Sequence, residues 1–292
     1  MTREIKNIIN IIVFLICIAL VSVAGQNIEL EIRGINAFTF VLIVAVLIQV
    51  IFFIPSYLLK TEKYYDLVGS LTYVTTISLA YFSVENKTSI DTIIYLYVMV
   101  WATRLGIYLF RRVQKDGKDV RFEKAKTHFF WFLQYWMGQA LWVSLTSCAA
   151  IIAILSPEEN SLPILAIVGM ALWLTGFTIE SISDYQKRVF RKENNPSQSF
   201  IHTGLWARSR HPNYFGEITL WTGIAVISLN TLSGVEFITL ISPVFVYILL
   251  TRMSGINLLE RIADERYGEL EEYQRYKRNT PVLFPKLSKN KN

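Results

Sequence analysis

The sequence predicts an all-α membrane protein: a polytopic helix bundle with about eight transmembrane helices and both termini in the cytoplasm. Three observations lead to this fold class. The 292 residues are 52% hydrophobic and only 18% charged, whereas soluble domains carry about a quarter charged residues. Apolar runs close to the roughly 20 residues that cross a bilayer core recur along the chain. Finally, lysines and arginines concentrate in alternate connecting segments.

Eight apolar segments account for the predicted spans. The first is too long for the apolar core of a signal peptide, and no convincing cleavage site follows it, so we expect a membrane anchor. The third is the least apolar, because it contains Ser70, Thr72, Thr75 and Thr76. The spans are expected at 8–25, 37–58, 67–83, 92–110, 129–155, 162–183, 213–231 and 235–252.

The basic residues orient the bundle. All but three of the 29 lysines and arginines fall on one side when both termini are cytoplasmic; the exceptions are Arg33, Lys87 and Arg104. This asymmetry is the positive-inside pattern, and we expect an integral protein of a bacterial inner membrane with its site facing the cytosol. The net charge of +6 then indicates contact with anionic lipids rather than a nucleic-acid partner. Cys17 and Cys148 lie within spans and suggest neither a disulfide framework nor a metal site.

Ionisable residues inside a membrane span are costly and therefore mark functional sites. Asp66, Arg104, Glu180, Asp184 and Glu217 all lie towards the cytoplasmic ends of their spans. Their shared level is what a single pocket open to the cytosol would require.

The sixth span leaves the membrane through "ESISDYQKRVFRKEN", in which charged residues recur at helical spacing. Glu180, Asp184, Lys187, Arg188 and Arg191 share one face. One interpretation is a basic helix end stabilised by i,i+4 ion pairs. The other is a phosphate clamp, in which Lys187 and Arg191 grip a diphosphate or 2′-phosphate and Asp184 orients an arginine or accepts a ribose hydroxyl.

The stretch "GLWARSRHPNYFGEITLW", residues 204–221, also favours an anion site. Pro212 suits the first turn of a helix, because its missing N–H has no intrahelical partner. The free N–H groups of Asn213 and Tyr214 would then stand at the positive end of the helix dipole, beside Arg208 and Arg210.

The same stretch continues into the seventh span with polar residues on one face. Asn213 and Glu217 are one turn apart, with Gly216 beside them allowing close approach of a ligand or a helix, and together they could hydrogen-bond a carboxamide such as that of nicotinamide. The alternative is a membrane-interface helix start with Trp206 and Tyr214 in the aromatic belt. His211 is predicted to be either the N-cap or a proton donor.

After the eighth span, a Ser254–Gly255 break precedes an amphipathic helix. Its apolar residues could lie on the membrane or on the bundle. Its polar residues Glu260, Tyr267, Tyr273 and Tyr276 could reach a cofactor. An ordinary surface helix is the alternative.

Several of these motifs together resemble the steroid 5-alpha-reductase superfamily, in particular its bacterial branch and the related sterol reductases. The motifs are "QKRVFR", "GLW…SRHPNYFGE", "SGINLLE…ERYGELEEYQRYKRNTPVLFP", "YYDLVGSLTYV" and "WATRLGIYLFRRVQKDGKDVRF". The resemblance covers roughly residues 60–285, and the block ending in RHPNYFGE is its most specific part. It suggests a division into N-terminal transmembrane helices, 1–58, and a reductase-like domain, 59–292, with the cofactor site in 180–285.

The resemblance implies that NADPH binds between the last spans on the cytoplasmic side. The residues implied at the adenosine-phosphate end are Asp184, Lys187 and Arg191. Those implied at the nicotinamide end are Trp206, Asn213 and Glu217. Glu260, Tyr267 and Tyr276 would close the site, and Arg104 would line it. Together with Glu180, Arg208, Arg210, His211 and Tyr214, these residues form the predicted cofactor site.

One departure from the family concerns the substrate. Animal steroid reductases carry a glutamate in an early span and a tyrosine that polarise the 3-keto group. The matching positions here are Phe53, in "FFIPS", and Trp101. The pattern preserves the cofactor half of the site and not the steroid half, so a different lipophilic substrate is expected.

The sequence therefore predicts an NADPH-dependent reductase of a C=C bond in a steroid-, sterol- or isoprenoid-like molecule. Tyr108, Tyr65 and Asp66 are the candidate proton donors. A methyltransferase of the isoprenylcysteine carboxyl type shares the RHPxYxG block, but its cofactor S-adenosylmethionine has no phosphates for Lys187 and Arg191. A non-catalytic membrane protein that keeps the fold is the third possibility.

Overall fold

Helices dominate the part of the chain that the computed structural model describes, residues 2–116, 119–156, 163–194, 199–253 and 255–286. A two-stranded antiparallel ladder, β1 (Glu31–Ile32) with β2 (Ile35–Asn36), lies between the first two helices. The α-helices are α1 (Arg3–Ser22), α2 (Ala37–Leu58), α3 (Tyr65–Ser83), α4 (Ser89–Asp116), α5 (Phe129–Leu155), α6 (Pro163–Glu193), α7 (Pro212–Ser228), α8 (Ile241–Ile248), α9 (Ile256–Tyr267) and α10 (Glu271–Asn279).

The predicted all-α polytopic membrane bundle is confirmed. Six described segments are long and apolar enough to cross a membrane: Arg3–Gly25, Ala37–Leu58, Ser89–Lys115, Phe129–Leu155, Ile164–Glu193 and Gly234–Tyr267. The other two predicted spans, 67–83 and 213–231, form α3 and α7. Helix α7 has only 17 residues, and α3 carries hydroxyls that donate back to main-chain carbonyls, as those of Thr72 and Thr76 do.

The predicted eighth span, 235–252, contains three kinds of helix. A 3-10 helix, Gly234–Leu240, leads into α8, and a π-helix, Leu249–Met253, follows it. Ser254 of the predicted break lies outside the described residues. Gly255 is required there because a Cβ at this position would collide with the carbonyl oxygen of Leu250. A π turn widens the helix and often occurs at functional sites.

The chain divides into two compact units. The first comprises Met1–Ala166 with Ile227–Ser242, and α5 is its central helix, packed against α1, α2, α3 and α4. Of the most apolar stretch of α5, 83% is buried, against 22% for α1. Helix α1 exposes an apolar stripe at helical spacing, Ile5, Ile9, Ile12 and Ile16, as expected for a lipid-facing surface.

The second unit comprises Ile167–Val226 with Pro243–Asn292. Helices α6 and α7 approach each other here through glycines. A Cβ built on Gly216 would lie 2.6 Å from the carbonyl oxygen of Gly176 and 2.6 Å from the amide nitrogen of Glu180. Gly223 meets Gly169 and Trp173 in the same way. Small residues allow such close backbone packing in membrane helices.

The boundaries of these two units differ from the predicted division at residue 58, and that division stays a prediction. The second unit contains all of the predicted cofactor residues except Arg104.

Candidate active site

A cavity of ≈ 180 Å³ opens in the second unit, at the end of α6. Its walls come from α6, from the segment after it, and from α9 and α10. The lining residues are Lys187, Phe190, Arg191, Ser199, Phe200, Ile201, Trp206, Arg210, His211, Leu259, Glu260, Ile262, Ala263, Arg266, Tyr267, Tyr273 and Tyr276. Eight of the predicted cofactor residues are among them: Lys187, Arg191, Trp206, Arg210, His211, Glu260, Tyr267 and Tyr276.

Trp206 is a buried residue of the cavity lining. Its indole Nε1–H donates to the carbonyl oxygen of Ser183 on α6 at 3.1 Å. The hydroxyl of Tyr276 on α10 donates to the carbonyl oxygen of Trp206 at 2.7 Å, and burial raises the pKa of Tyr276, so the phenol stays a donor. The Lys187 ammonium lies 4.7 Å from the centre of the indole ring. Trp206 therefore ties α6 to α10 and holds a cation against the cavity.

The backbone before Trp206 explains its placement. Gly204 has φ of +64°, a left-handed conformation that glycine adopts without steric cost. The Leu205 N–H then donates to Oε1 of Gln186 at 3.0 Å. A 3-10 turn, Gly204–Ala207, follows and carries the indole towards α6.

Glu260 joins two of the predicted anion-binding residues. Its carboxylate lies 2.8 Å from Nη1 of Arg210 and 2.8 Å from Nε2 of His211. His211 is 6% exposed, and this burial lowers its pKa although the Glu260 carboxylate opposes the shift. The imidazole is therefore neutral near pH 7, and its Nε2–H donates to Glu260. The imidazole ring stacks on the ring of Tyr214, with 5.6 Å between the ring centres.

The charge balance of the cavity is positive. Lys187, Arg191, Arg210 and Arg266 line it, and Glu260 is the one carboxylate among the lining residues of the described chain. Because Glu260 already contacts Arg210 and His211, the remaining field favours an anionic ligand.

Aromatic rings form another part of the cavity lining. The ring of Phe200 lies 5.1 Å from that of Tyr273, 5.4 Å from that of Tyr276 and 5.8 Å from that of Tyr267. Such a surface offers stacking to a flat base beside the cationic groups. Sequence reasoning missed Phe200 and Arg266. Phe200 follows a polar connection without periodicity, and Arg266 is one of many charges on α9, so neither carries a local signal.

The other predicted residues of the second unit lie elsewhere. Glu180, Asp184 and Glu217 are buried and do not line the cavity. The Asn213 Nδ2–H donates to Oδ1 of Asp184 at 3.3 Å, which links α7 to α6. Arg208 is exposed.

Gly216 was expected to allow close approach of a ligand or a helix, and the structure places the backbone of α6 there. Space for a nicotinamide beside Gly216 is therefore absent in this arrangement, because Gly176 and Glu180 fill it. Oδ1 of Asn213 is buried and has no hydrogen-bond partner among the described residues, so a polar ligand group could still satisfy it.

The candidate proton donors belong to the first unit. The Tyr65 hydroxyl donates to the carbonyl oxygen of Tyr135 at 2.9 Å, and its ring packs in an aromatic cluster with Phe122 and Trp136. Tyr65 therefore has a packing role that the sequence did not indicate. Its hydroxyl already has an acceptor.

Asp66 also has structural partners. It forms ion pairs with Arg112 at 3.3 Å and with Arg121 at 3.5 Å, and both arginines also pair with Asp119. Although burial opposes ionisation, the hydrogen bonds and charge of Arg121 hold the pKa of Asp119 below its usual range. This network fastens the segment after α4 to the start of α3.

Two predicted residues lie on α4. Arg104 lines a groove of ≈ 410 Å³ together with Met99, Val100, Thr103 and Ile107. Tyr108 lies one turn further along the helix and is half-buried. Because an arginine is costly within a membrane span, Arg104 stays a candidate functional residue.

Comparison with known proteins supports the sequence resemblance. The family model described as "Protein of unknown function (DUF1295)" matches residues 52–280. The mouse 3-oxo-5-alpha-steroid 4-dehydrogenase 1 is 31% identical over 121 residues, which are 41% of this chain and 42% of that protein. The human protein of the same name is 39% identical over 62 residues, 21% of this chain and 24% of its own length.

The chain thus spans about two fifths of the length of the first curated relatives it matches. No solved structure matches it. Because the family model covers most of the sequence, the chain belongs to the DUF1295 family, within the steroid 5-alpha-reductase superfamily.

Proposed function

We propose that the protein is a membrane-embedded, NADPH-dependent reductase of a C=C bond in a lipophilic substrate. The observation that carries this proposal is the cavity at the end of α6, whose lining combines four cations, one carboxylate and several aromatic rings. The similarity to the 3-oxo-5-alpha-steroid 4-dehydrogenases, whose name denotes oxidoreductases of a lipophilic ring system, supports the reaction class.

The cavity suits the adenosine-phosphate end of a dinucleotide. At ≈ 180 Å³ it is smaller than the roughly 300–1,000 Å³ of a pocket that encloses a drug-sized ligand. Lys187 and Arg191 are one turn apart on α6 and would contact phosphate oxygens, with Arg210 and Arg266 adding positive charge. Phe200 would offer its face to the adenine.

The substrate half of the reaction falls to other residues. NADPH, when bound, supplies a hydride, and the protein must supply a proton to the neighbouring carbon. Tyr108, Tyr65 and Asp66 stay the three candidate donors. The variants Tyr108→Phe, Tyr65→Phe and Asp66→Asn separate them, because only the variant of the true donor should abolish turnover and leave the dissociation constant for NADPH unchanged.

Ligand-induced thermal stabilisation of the purified protein tests the cofactor. NADPH, NADH and S-adenosylmethionine are compared, since a ligand at 100 times its Kd stabilises the folded state by about 2.7 kcal/mol. We expect NADPH to stabilise more than NADH and S-adenosylmethionine to have no effect. Stabilisation by S-adenosylmethionine alone would replace the proposal with a methyltransferase.

Matched variants on α6 locate the binding site. Lys187→Gln and Arg191→Gln each remove a charge that lines the cavity, and each should weaken NADPH binding by about 1.5–3 kcal/mol, the value of a charge-assisted hydrogen bond. Arg188→Gln is the control: Arg188 lies on the same turn, exposed over the ring of Tyr185. Equal effects of all three variants would show a general charge effect and contradict the site.

A further inference from the structure

The segment 281–286, named here the C-terminal strap, is bound along the chain that precedes α7. The main-chain N–H of Arg210 donates to the carbonyl oxygen of Pro281 at 2.9 Å, and that of Lys286 donates to the carbonyl oxygen of Arg208 at 3.0 Å. The strap is therefore fixed at both of its ends to the segment that carries a cation into the cavity.

The side chains of the C-terminal strap alternate between two faces. Leu283 is 7% exposed, while its neighbours Val282 and Phe284 are 37% and 68% exposed. The hydroxyl of Ser209 donates to the carbonyl oxygen of Leu283 at 2.7 Å. Leu283 thus faces the protein, whereas Val282 and Phe284 on either side of it form an outer apolar face.

The outer face lies beside the start of a predicted membrane span. The ring of Phe284 is 6.0 Å from that of Phe215, which is in the first turn of α7. A phenylalanine exposed to this extent is unfavourable in water and favourable at the boundary between headgroups and acyl chains. Lys286 follows two positions after Phe284 and adds a positive charge to this end of the strap.

We propose that the C-terminal strap is a membrane-interface anchor for anionic lipid. Val282 and Phe284 insert at the acyl boundary of the cytoplasmic leaflet, and Lys286 attracts anionic headgroups. Through its hydrogen bonds to residues 208–210, the inserted strap holds Arg210 at the cavity wall. The lipid surface thus becomes part of the support of the site. This inference does not depend on which cofactor the cavity binds.

Spin-label depth measurement tests the insertion directly. Nitroxide labels are placed at Phe284→Cys and, separately, Val282→Cys in a background with Cys17 and Cys148 replaced by alanine, in nanodiscs with and without phosphatidylglycerol. The control label is at Glu271→Cys on α10, whose side chain is 89% exposed.

The two strap labels should collide with oxygen more than with a water-soluble nickel complex, at a depth of about 5–10 Å. The control label should show the reverse. Strap labels as accessible to nickel as the control would overturn the anchor. Equal depth with and without phosphatidylglycerol would overturn the contribution of Lys286.

Amide hydrogen exchange tests the connection to the cavity. The Arg210 N–H is bonded to the strap, so Phe284→Ser should speed its exchange in phosphatidylglycerol nanodiscs while leaving the amides of α5 protected. A variant with unchanged exchange at Arg210 would refute the support role even if the strap touches lipid. The readout requires no cofactor, so its failure is distinct from failure of the proposed reductase function.

Discussion

Replacing Glu260 with glutamine separates the two roles that this carboxylate can have. Glu260 contacts Arg210 and His211, each at 2.8 Å, and its side chain is 19% exposed. Glutamine keeps the size and one acceptor oxygen but removes the charge. The hydrogen bond from His211 to the Glu260 carboxylate is charge-assisted, and such a bond contributes about 1.5–3 kcal/mol. We expect a loss of unfolding free energy in this range, because this bond becomes neutral and Arg210, 11% exposed, loses its ion pair.

The same substitution should tighten the binding of a phosphate ligand. The cavity would retain four cations and lose its carboxylate. One unit charge about 8 Å away, at an effective dielectric between those of protein and water, contributes on the order of 1 kcal/mol, which is about fivefold in Kd. Glu260→Gln should therefore melt at a lower temperature without ligand and bind NADPH more tightly.

Thermal melts in detergent and NADPH titration measure both effects, with Glu265→Gln as the control. Glu265 is on the same helix, 71% exposed and 4.0 Å from Arg261, and exposed pairs of this kind contribute at most about 1 kcal/mol. Weaker NADPH binding by the Glu260 variant would refute the charge argument and indicate that the carboxylate contacts the ligand itself. Identical melting of the two variants would refute the ion-pair argument.

Three further predictions follow from the second unit. Gly216→Ala should lower the free energy of unfolding by about 1–3 kcal/mol, the usual penalty for overpacking, because the new Cβ would lie 2.6 Å from the backbone of α6. The control Gly138→Ala should be tolerated, because its Cβ would lie 3.5 Å from Phe14. Circular dichroism melts compare the two variants. Trp206→Phe should lose about 1 kcal/mol with its hydrogen bond to α6, measured in the same melts against wild type. Burial lowers the pKa of His211 in the folded protein, so the unfolded chain binds a proton at higher pH than the folded chain does. The folded state therefore loses stability as pH falls below about 6.5, the usual pKa of histidine. His211→Gln should flatten the pH dependence of the melting temperature in this window.

Two of the long apolar helices could be predicted from sequence to the residue, whereas α4 and α6 extend six and ten residues beyond the ends of their predicted spans, 110 and 183. Helices α2 and α5 begin and end at the predicted positions, 37–58 and 129–155, because a continuous apolar segment of bilayer length has few alternatives to a helix. Pro212 begins α7, as its place in the motif indicated. These features depend on local chemistry, which the sequence states directly.

Phe200 and the fourth cation of the cavity, Arg266, could not be predicted in the same way, nor could the packing of Phe200 against the predicted tyrosines. Phe200, Tyr273 and Tyr276 come together only when the tail folds back over the end of α6. That fold depends on contacts such as the bond from Tyr276 to the carbonyl of Trp206, 70 positions apart in the chain. A contact of this kind has no local pattern, because either partner alone resembles an ordinary surface residue.

The charged face of α6 shows what helical periodicity alone cannot predict. Helical spacing correctly placed Glu180, Asp184, Lys187 and Arg191 along one side of the helix, but it assigned them a single environment. In the structure, the two acids are buried where α6 faces the start of α7, as the bond from Asn213 to Asp184 indicates, and the two bases lie one turn further on, at the cavity. Helical periodicity predicts on which side of its own helix a side chain lies. It does not predict which element packs against that side, because this depends on where the neighbouring helix begins. Because α7 begins at Pro212, the acids of α6 meet another helix and its bases meet the open cavity.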